Sequence, residues 1–173
     1  MRSVYRRVEL VANVSIVIVV ILLIIMAVKT FLPSSATAQG QRPDMIKPGM
    51  KFTLPGFDWS KKDAHIVLVL RKDCHFCSES APFYQRLVQA VAHRTDLELI
   101  AALPQDAAAA QQYLNDLHVP IAEVRQADMM ATRVYATPTI LLVDKTGTVT
   151  ELWRGKLQPD KELEIFNRLQ LKV

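Results

Sequence analysis

Residues 71–82 read RKDCHFCSESAP, and they hold both cysteines of the 173-residue chain, Cys74 and Cys77. His75 and Phe76 stand between them. The run before the pair, HIVLVL (residues 65–70), is short, continuous, apolar and rich in β-branched residues, which predicts a buried strand. After it, Tyr84, Leu87, Val88 and Val91 recur at i, i+3, i+4 and i+7, which predicts a helix over residues 78–93. The pair therefore stands where a buried strand gives way to a helix. Positions i and i+3 on a helical turn bring two sulfurs within disulfide reach. The unpaired N–H groups of a helix N-terminus favour the thiolate of the first cysteine. Thiolate is the species that attacks a disulfide, and the second thiol can then resolve the mixed disulfide.

Other readings of the pair stay open at this point. A structural disulfide normally closes a longer loop, because a short loop restricts the unfolded chain little. Zinc needs four ligands, and no second cysteine pair exists. Copper(I) held by Cys74, Cys77 and His75 matches thiolate softness, so a tethered metal-binding module is a competing class. Asp73 opposes thiolate formation at Cys74 by its charge, while a protonated His75 favours it.

Working outward, the elements alternate. LELIAAL (residues 97–103) predicts a second strand and residues 106–117 a helix, with Ala110, Tyr113, Leu114 and Leu117 on one face. VPIAEV (residues 119–124) reads as a short strand and residues 127–135 as a short helix. Residues 139–153 read as a β-hairpin turning at Asp144-Lys145-Thr146-Gly147, with Gly147 suited to a left-handed position. Pro159 opens a last helix, with Asp160, Glu162 and Glu164 near its positive end. Strands alternating with helices, closed by an antiparallel pair, give an α/β fold with a mixed central sheet flanked by helices. Ahead of the hairpin stands Thr137-Pro138, where a proline before a strand is a candidate for a cis bond. His65, His93 and His118 read as surface or capping residues, Met129 and Met130 as core, and Trp59 and Trp153 as packing at the sheet ends.

The N-terminal region differs in kind. Residues 10–28, LVANVSIVIVVILLIIMAV, carry no charge. Nineteen residues at 1.5 Å each span roughly 28 Å, close to the hydrocarbon thickness of a bilayer. A cleaved signal peptide competes, with a basic start and Ala36 to Ala38 as a cleavage site, but the apolar run is long and the cut would fall far from its end. The expectation is an uncleaved anchor. Arg2, Arg6 and Arg7 precede it, which keeps the N-terminus inside and the rest of the chain outside, where disulfides persist. The organisation expected is a cytoplasmic segment (1–9), an anchor (10–28), a linker rich in Pro, Ser, Ala and Gln (29–47) and one domain (48–173). From Pro48 onward fifteen basic residues balance fifteen acidic ones, so the pI near 9.2 arises in the anchor and linker and argues nothing for nucleic acid. The basic residues flanking the apolar run suit topology and lipid headgroups.

Strand, CxxC, helix, then Thr-Pro before a hairpin and a last helix: from Pro48 to Val173 the chain resembles the thioredoxin superfamily, and within it the membrane-anchored TlpA/ResA-type thiol–disulfide oxidoreductases. GMKFTLPGFD (residues 49–58) is similar to the family's lead-in, and Pro82 to the proline that kinks its active-site helix. The segment between Cys77 and Pro138 is longer than in minimal thioredoxin, with room for an extra helix and strand and none for a large helical insertion. The resemblance implies a thioredoxin-like fold with Cys74 and Cys77 as the catalytic pair and Thr137 and Pro138 docking substrate. Asp73, His75 and Phe76 would tune the site. It implies no cofactor beyond the redox-active disulfide. The partners would be extracytoplasmic protein thiols and disulfides and a membrane electron donor. The location would be the cytoplasmic membrane, with the domain in the periplasm or outside. Reduction is the expected direction, and a disulfide-forming oxidant with the same residues is the alternative. Three positions depart from the family: Asp73 replaces an aromatic residue, Leu68 a buried acid, and Ser80 a glutamate, with Glu79 one place off.

Overall fold

The computed structural model describes residues 15–23, 26 and 44–171. The chain divides into two compact units, Met1–Arg42 and Pro43–Val173. In the first, residues 15–23 are helical and the apolar side chains from Ile16 to Leu23 are all exposed. Among the described residues no helix is long and apolar enough to cross a membrane. The span expected over residues 10–28 lies only partly within them, and the expected cytoplasmic segment (1–9) and most of the expected linker (29–47) lie outside them.

The second unit is built on a five-stranded mixed sheet. Its strands are β1 (Ala64–Val69), β2 (Leu97–Leu103), β3 (Glu123–Gln126), β4 (Thr139–Asp144) and β5 (Val149–Arg154), in the order β3-β2-β1-β4-β5. β1 pairs parallel with β2, and β2 with β3; β4 runs antiparallel to both β1 and β5. β1 is central, and its last five residues are all buried, which is why the sequence shows a continuous apolar run there and no alternation. The helices are α1 (His75–Glu79), α2 (Ala81–Val91), α3 (Ala107–Asp116), α4 (Met129–Thr132) and α5 (Pro159–Arg168).

Alternate residues of each strand feed two cores. Ile66, Leu68, Leu70, Leu97, Leu99 and Ile140 face α2, α3 and α5, meeting Tyr84, Leu87, Leu114, Ile165 and Phe166. Val67, Val69, Ile100, Leu141 and Val143 face the opposite way and meet Ile46, Phe52 and Leu54 from the segment ahead of β1. That segment is pinned along the hairpin by Gly49 N–H to Val149 O (2.8 Å), Val149 N–H to Met50 O (2.8 Å) and Phe52 N–H to Gly147 O (2.9 Å). Ile46, two residues ahead of Pro48, is already buried.

Four local expectations change. The helix expected over residues 78–93 is two helices joined at Ser80, whose backbone leaves helical geometry at φ −86° and ψ 1°. Pro82 lies in the first turn of α2, where its missing N–H costs no hydrogen bond. The strand expected over residues 119–124 forms instead over Glu123–Gln126, while Val119 and Ile121 are buried in the loop before it. His65, expected at the surface, is wholly buried and boxed edge-on by Phe57 and Trp59. Met129 packs against the core as expected, but Met130 is 66% exposed.

Candidate active site

β1 is extended by Leu70, whose N–H donates to Ala102 O at 3.0 Å. The chain then turns through the exposed residues Arg71, Lys72 and Asp73, and Cys74 N–H closes the turn on Arg71 O at 3.2 Å. Cys74 is the N-cap of α1: its backbone is extended and its Sγ accepts from Cys77 N–H at 3.2 Å. One helical turn later stands Cys77, with the two Cα atoms 5.2 Å apart and the sulfurs joined in a disulfide. The expected strand–pair–helix arrangement is therefore present.

The two sulfurs live in different surroundings. Cys77 is wholly buried in the core that includes Ile66, Leu68 and Leu70. Cys74 is partly exposed at the edge of that core. Burial disfavours a thiolate at Cys77, whereas an N–H aimed at Cys74 Sγ favours one there. A reagent from solvent meets Cys74 first.

Facing the pair is the loop ahead of β4. The Thr137–Pro138 peptide bond is cis, and the Thr137 carbonyl oxygen lies 3.3 Å from Cys74 Sγ. The loop is anchored on both sides: Gly155 N–H donates to Pro138 O at 2.7 Å, and the buried Thr139 hydroxyl donates to Ala136 O at 2.8 Å. Tyr135 and Ala136 are exposed beside it. Topology thus brings Cys74, Cys77, Thr137 and Pro138 together, because β1 and β4 are neighbours and run antiparallel. The end of β1 meets the start of β4.

His75 and Phe76 both point outward, the His75 side chain 78% exposed and Phe76 55% exposed. Two further residues enter here that sequence reasoning did not assign. Glu79 Oε1 lies 3.1 Å from His75 Nε2, and Lys156 Nζ donates to Glu79 Oε2 at 3.1 Å. The Lys156 ammonium first, and His75 with it, hold the Glu79 carboxyl below the usual carboxylate range. The i, i+4 spacing of His75 and Glu79 was legible in the sequence; the contact of Glu79 with Lys156 across 77 positions was not. At the positions where the resembled family carries acids, Leu68 is wholly buried and the Ser80 hydroxyl donates to Phe76 O at 2.8 Å. Among the described residues no group of three or more His, Cys, Asp or Glu side chains is placed to hold a metal ion.

No protein-family model matches the chain, and no curated protein matches it. Solved structures do. A candidate thiol:disulfide interchange protein DsbE from Chlorobium tepidum superposes with a TM-score of 0.54 at 18% identity, over 73% of this chain and 96% of that one. The thioredoxin domain of a thiol-disulfide oxidoreductase from Bacteroides vulgatus gives 0.55 at 12% identity, over 72% and 98%. A secreted disulfide oxidoreductase from Mycobacterium tuberculosis gives 0.50 at 17% identity, over 70% and 95%. Likenesses at this level of identity establish the fold, which is thioredoxin-like.

Proposed function

We propose that this protein is an extracytoplasmic, membrane-tethered thiol–disulfide oxidoreductase that reduces disulfides in other proteins. The observation that carries the reading is the unequal pair: a partly exposed Cys74 that caps a helix against the Thr137–Pro138 loop, joined to a buried Cys77. In the reduced protein the Cys74 thiolate attacks one sulfur of a substrate disulfide. The substrate S–S bond breaks, a mixed disulfide forms, and the departing substrate thiolate takes a proton from solvent. Cys77 then gives up its proton and attacks Cys74 Sγ. The Cys74–Cys77 disulfide forms, and the second substrate thiolate leaves. Two electrons pass from the pair to the substrate, so a dithiol donor on the membrane must recharge it. Thr137 and Pro138 shape the surface against which an extended substrate segment lies, and Phe76 and Tyr135 offer it apolar contact.

Tethering rests on the uncharged run over residues 10–28 and on the arginines ahead of it. A phosphatase reporter fused after Val173, active only outside the cytoplasm, together with retention of the full chain in washed membranes, tests that placement. An inactive fusion, or a protein found wholly in the soluble fraction, would reject it. For the chemistry, the test is insulin reduction driven by dithiothreitol. Wild type should catalyse it and Cys74→Ser should not; activity surviving in Cys74→Ser would sink the assignment.

The direction of electron flow has its own test. His75 inside the pair favours the opposite reading, a disulfide-forming oxidant. A reduction potential near or below about −220 mV supports the reductant, and one near about −120 mV the oxidant.

A further inference from the structure

Glu79 links the residue inside the cysteine pair to the loop on the far side of it. Its two carboxylate oxygens are divided: Oε1 lies 3.1 Å from His75 Nε2, and Oε2 accepts from Lys156 Nζ at 3.1 Å. His75 directly follows Cys74 in the chain. Lys156 directly follows Gly155, whose N–H donates to Pro138 O at 2.7 Å. Thr137, just before that proline, sets its carbonyl oxygen 3.3 Å from Cys74 Sγ. The contacts close a ring that starts and ends at Cys74. The charged groups around this ring are Arg71, Lys72 and Asp73 in the preceding turn, His75 and Glu79 on α1, and Lys156 after β5.

Alone, a protonated histidine next to Cys74 stabilises its thiolate and makes the disulfide easier to reduce. Glu79 acts against both effects. It offsets the imidazolium with a carboxylate, and it engages the ring through Nε2, so the ring is held along the outer face of α1. Lys156 keeps the carboxylate in that position. A thiolate stabilised less leaves a more persistent disulfide and a more strongly reducing dithiol.

We infer that Glu79 is a positioning residue that screens the His75 charge from Cys74 and so holds the pair toward the reducing end of its range. This deepens the reading of Cys74 and Cys77 as an exchanging pair, and rests on it. The test is a double-mutant cycle in the full chain in detergent: wild type, Glu79→Gln, His75→Ala and the double variant. Two quantities are read for each: the equilibrium of the pair with glutathione, and the pH profile of Cys74 alkylation by iodoacetamide. Glu79→Gln should shift the equilibrium toward the dithiol by about 2- to 5-fold, the scale of one exposed ion pair. It should also move the alkylation midpoint to lower pH. With His75→Ala already in place, the same change should do less than half as much. An unmoved or raised midpoint in Glu79→Gln, or equal shifts with and without His75, overturns the inference. Glutathione equilibration needs no protein substrate, so the two ideas fail separately. A wild-type protein that reduces no insulin defeats the proposed activity alone, and a Glu79→Gln equilibrium equal to that of wild type defeats this inference alone.

Discussion

Cys74 Sγ and the Thr137 carbonyl oxygen lie 3.3 Å apart although 63 positions separate them in the chain. The contact sets the partly exposed Cys74 against the Thr137–Pro138 loop, while Cys77 stays buried in the core. The sulfurs should therefore fail in different ways when replaced. Cys74→Ser should abolish insulin reduction. Cys77→Ser should still attack but be unable to resolve, and should accumulate a mixed disulfide that runs as a heavier band on a non-reducing gel. Equal residual activity in both variants would show that the order of attack is wrong.

Phe76 is large, apolar and 55% exposed two residues after Cys74, and no aromatic pair inside the core depends on it. An exposed side chain of this kind adds little to folding and more to docking. Phe76→Ala should change unfolding stability by no more than about 0.5 kcal/mol. It should raise the KM for a protein disulfide by roughly 3-fold or more while leaving the rate with a small disulfide near wild type, a scale set by loss of one apolar contact. Matched losses on large and small substrates would point to a disturbed active site instead.

His65 is wholly buried, and neither ring nitrogen has a hydrogen-bonding side chain; the closest carboxylate oxygen, Glu98 Oε2, is 3.5 Å from Nε2. Burial lowers the His65 pKa, partly offset by the Val143 backbone and Asp58. Its folded state therefore prefers the neutral ring. Stability is held above the ordinary histidine value of about 6.5 and falls as pH drops below it, because the unfolded chain takes up the proton first. Glu98 is shifted upward, chiefly by burial, and contributes with the opposite slope, its share being lost as pH rises past the usual carboxylate range. His65→Leu removes only the histidine part. Urea unfolding of this variant should show a flatter acid limb between about pH 6.5 and 5, and stability at pH 7.5 no lower than about 1 kcal/mol below wild type. An unchanged acid limb would show that His65 does not titrate on unfolding.

Gly147 closes the β4–β5 turn at φ +77°, and a Cβ there would stand 2.9 Å from Trp59 Cδ1. Conformation and space both exclude a side chain. Gly147→Ala should lower stability by about 1–3 kcal/mol, adding left-handed strain to displacement of the indole. A fall in melting temperature accompanied by a change in Trp fluorescence would check it; a full melting temperature with wild-type fluorescence would contradict it.

What the sequence made legible follows from what each segment buries. β1 and β2 are apolar on both faces, so a plain hydrophobic run announces them. β3 is an edge strand reading Glu-Val-Arg-Gln, and no periodicity marks it; the apolar residues nearby, Val119 and Ile121, belong to a buried loop. The break at Ser80 was hidden because the apolar spacing of Tyr84, Leu87 and Val91 is the same whether or not the helix restarts. The burial of His65 leaves no mark in the sequence, because a lone histidine carries no sign of the aromatic pair that covers it. Of the candidate site, spacing and order mark Cys74 and Cys77, whereas Thr137 and Pro138 enter through the resemblance to the thioredoxin superfamily. Lys156 was not legible, since its part depends on a loop that only the finished sheet brings beside α1.

The residues just ahead of β1 have a consequence for how this domain can be released or pulled. Ile46, Phe52 and Leu54 fill one face of the sheet, and the backbone between them is laced to Gly147 and Val149. A protease cutting ahead of residue 44 would shed a domain with its core complete. A cut only a few residues later, past Ile46, would extract a side chain from the interior and leave a weakened remnant. Tension arriving from the N-terminal side would likewise be met by those same strand-like bonds, loaded along the hairpin, before it reached the helix that presents Cys74.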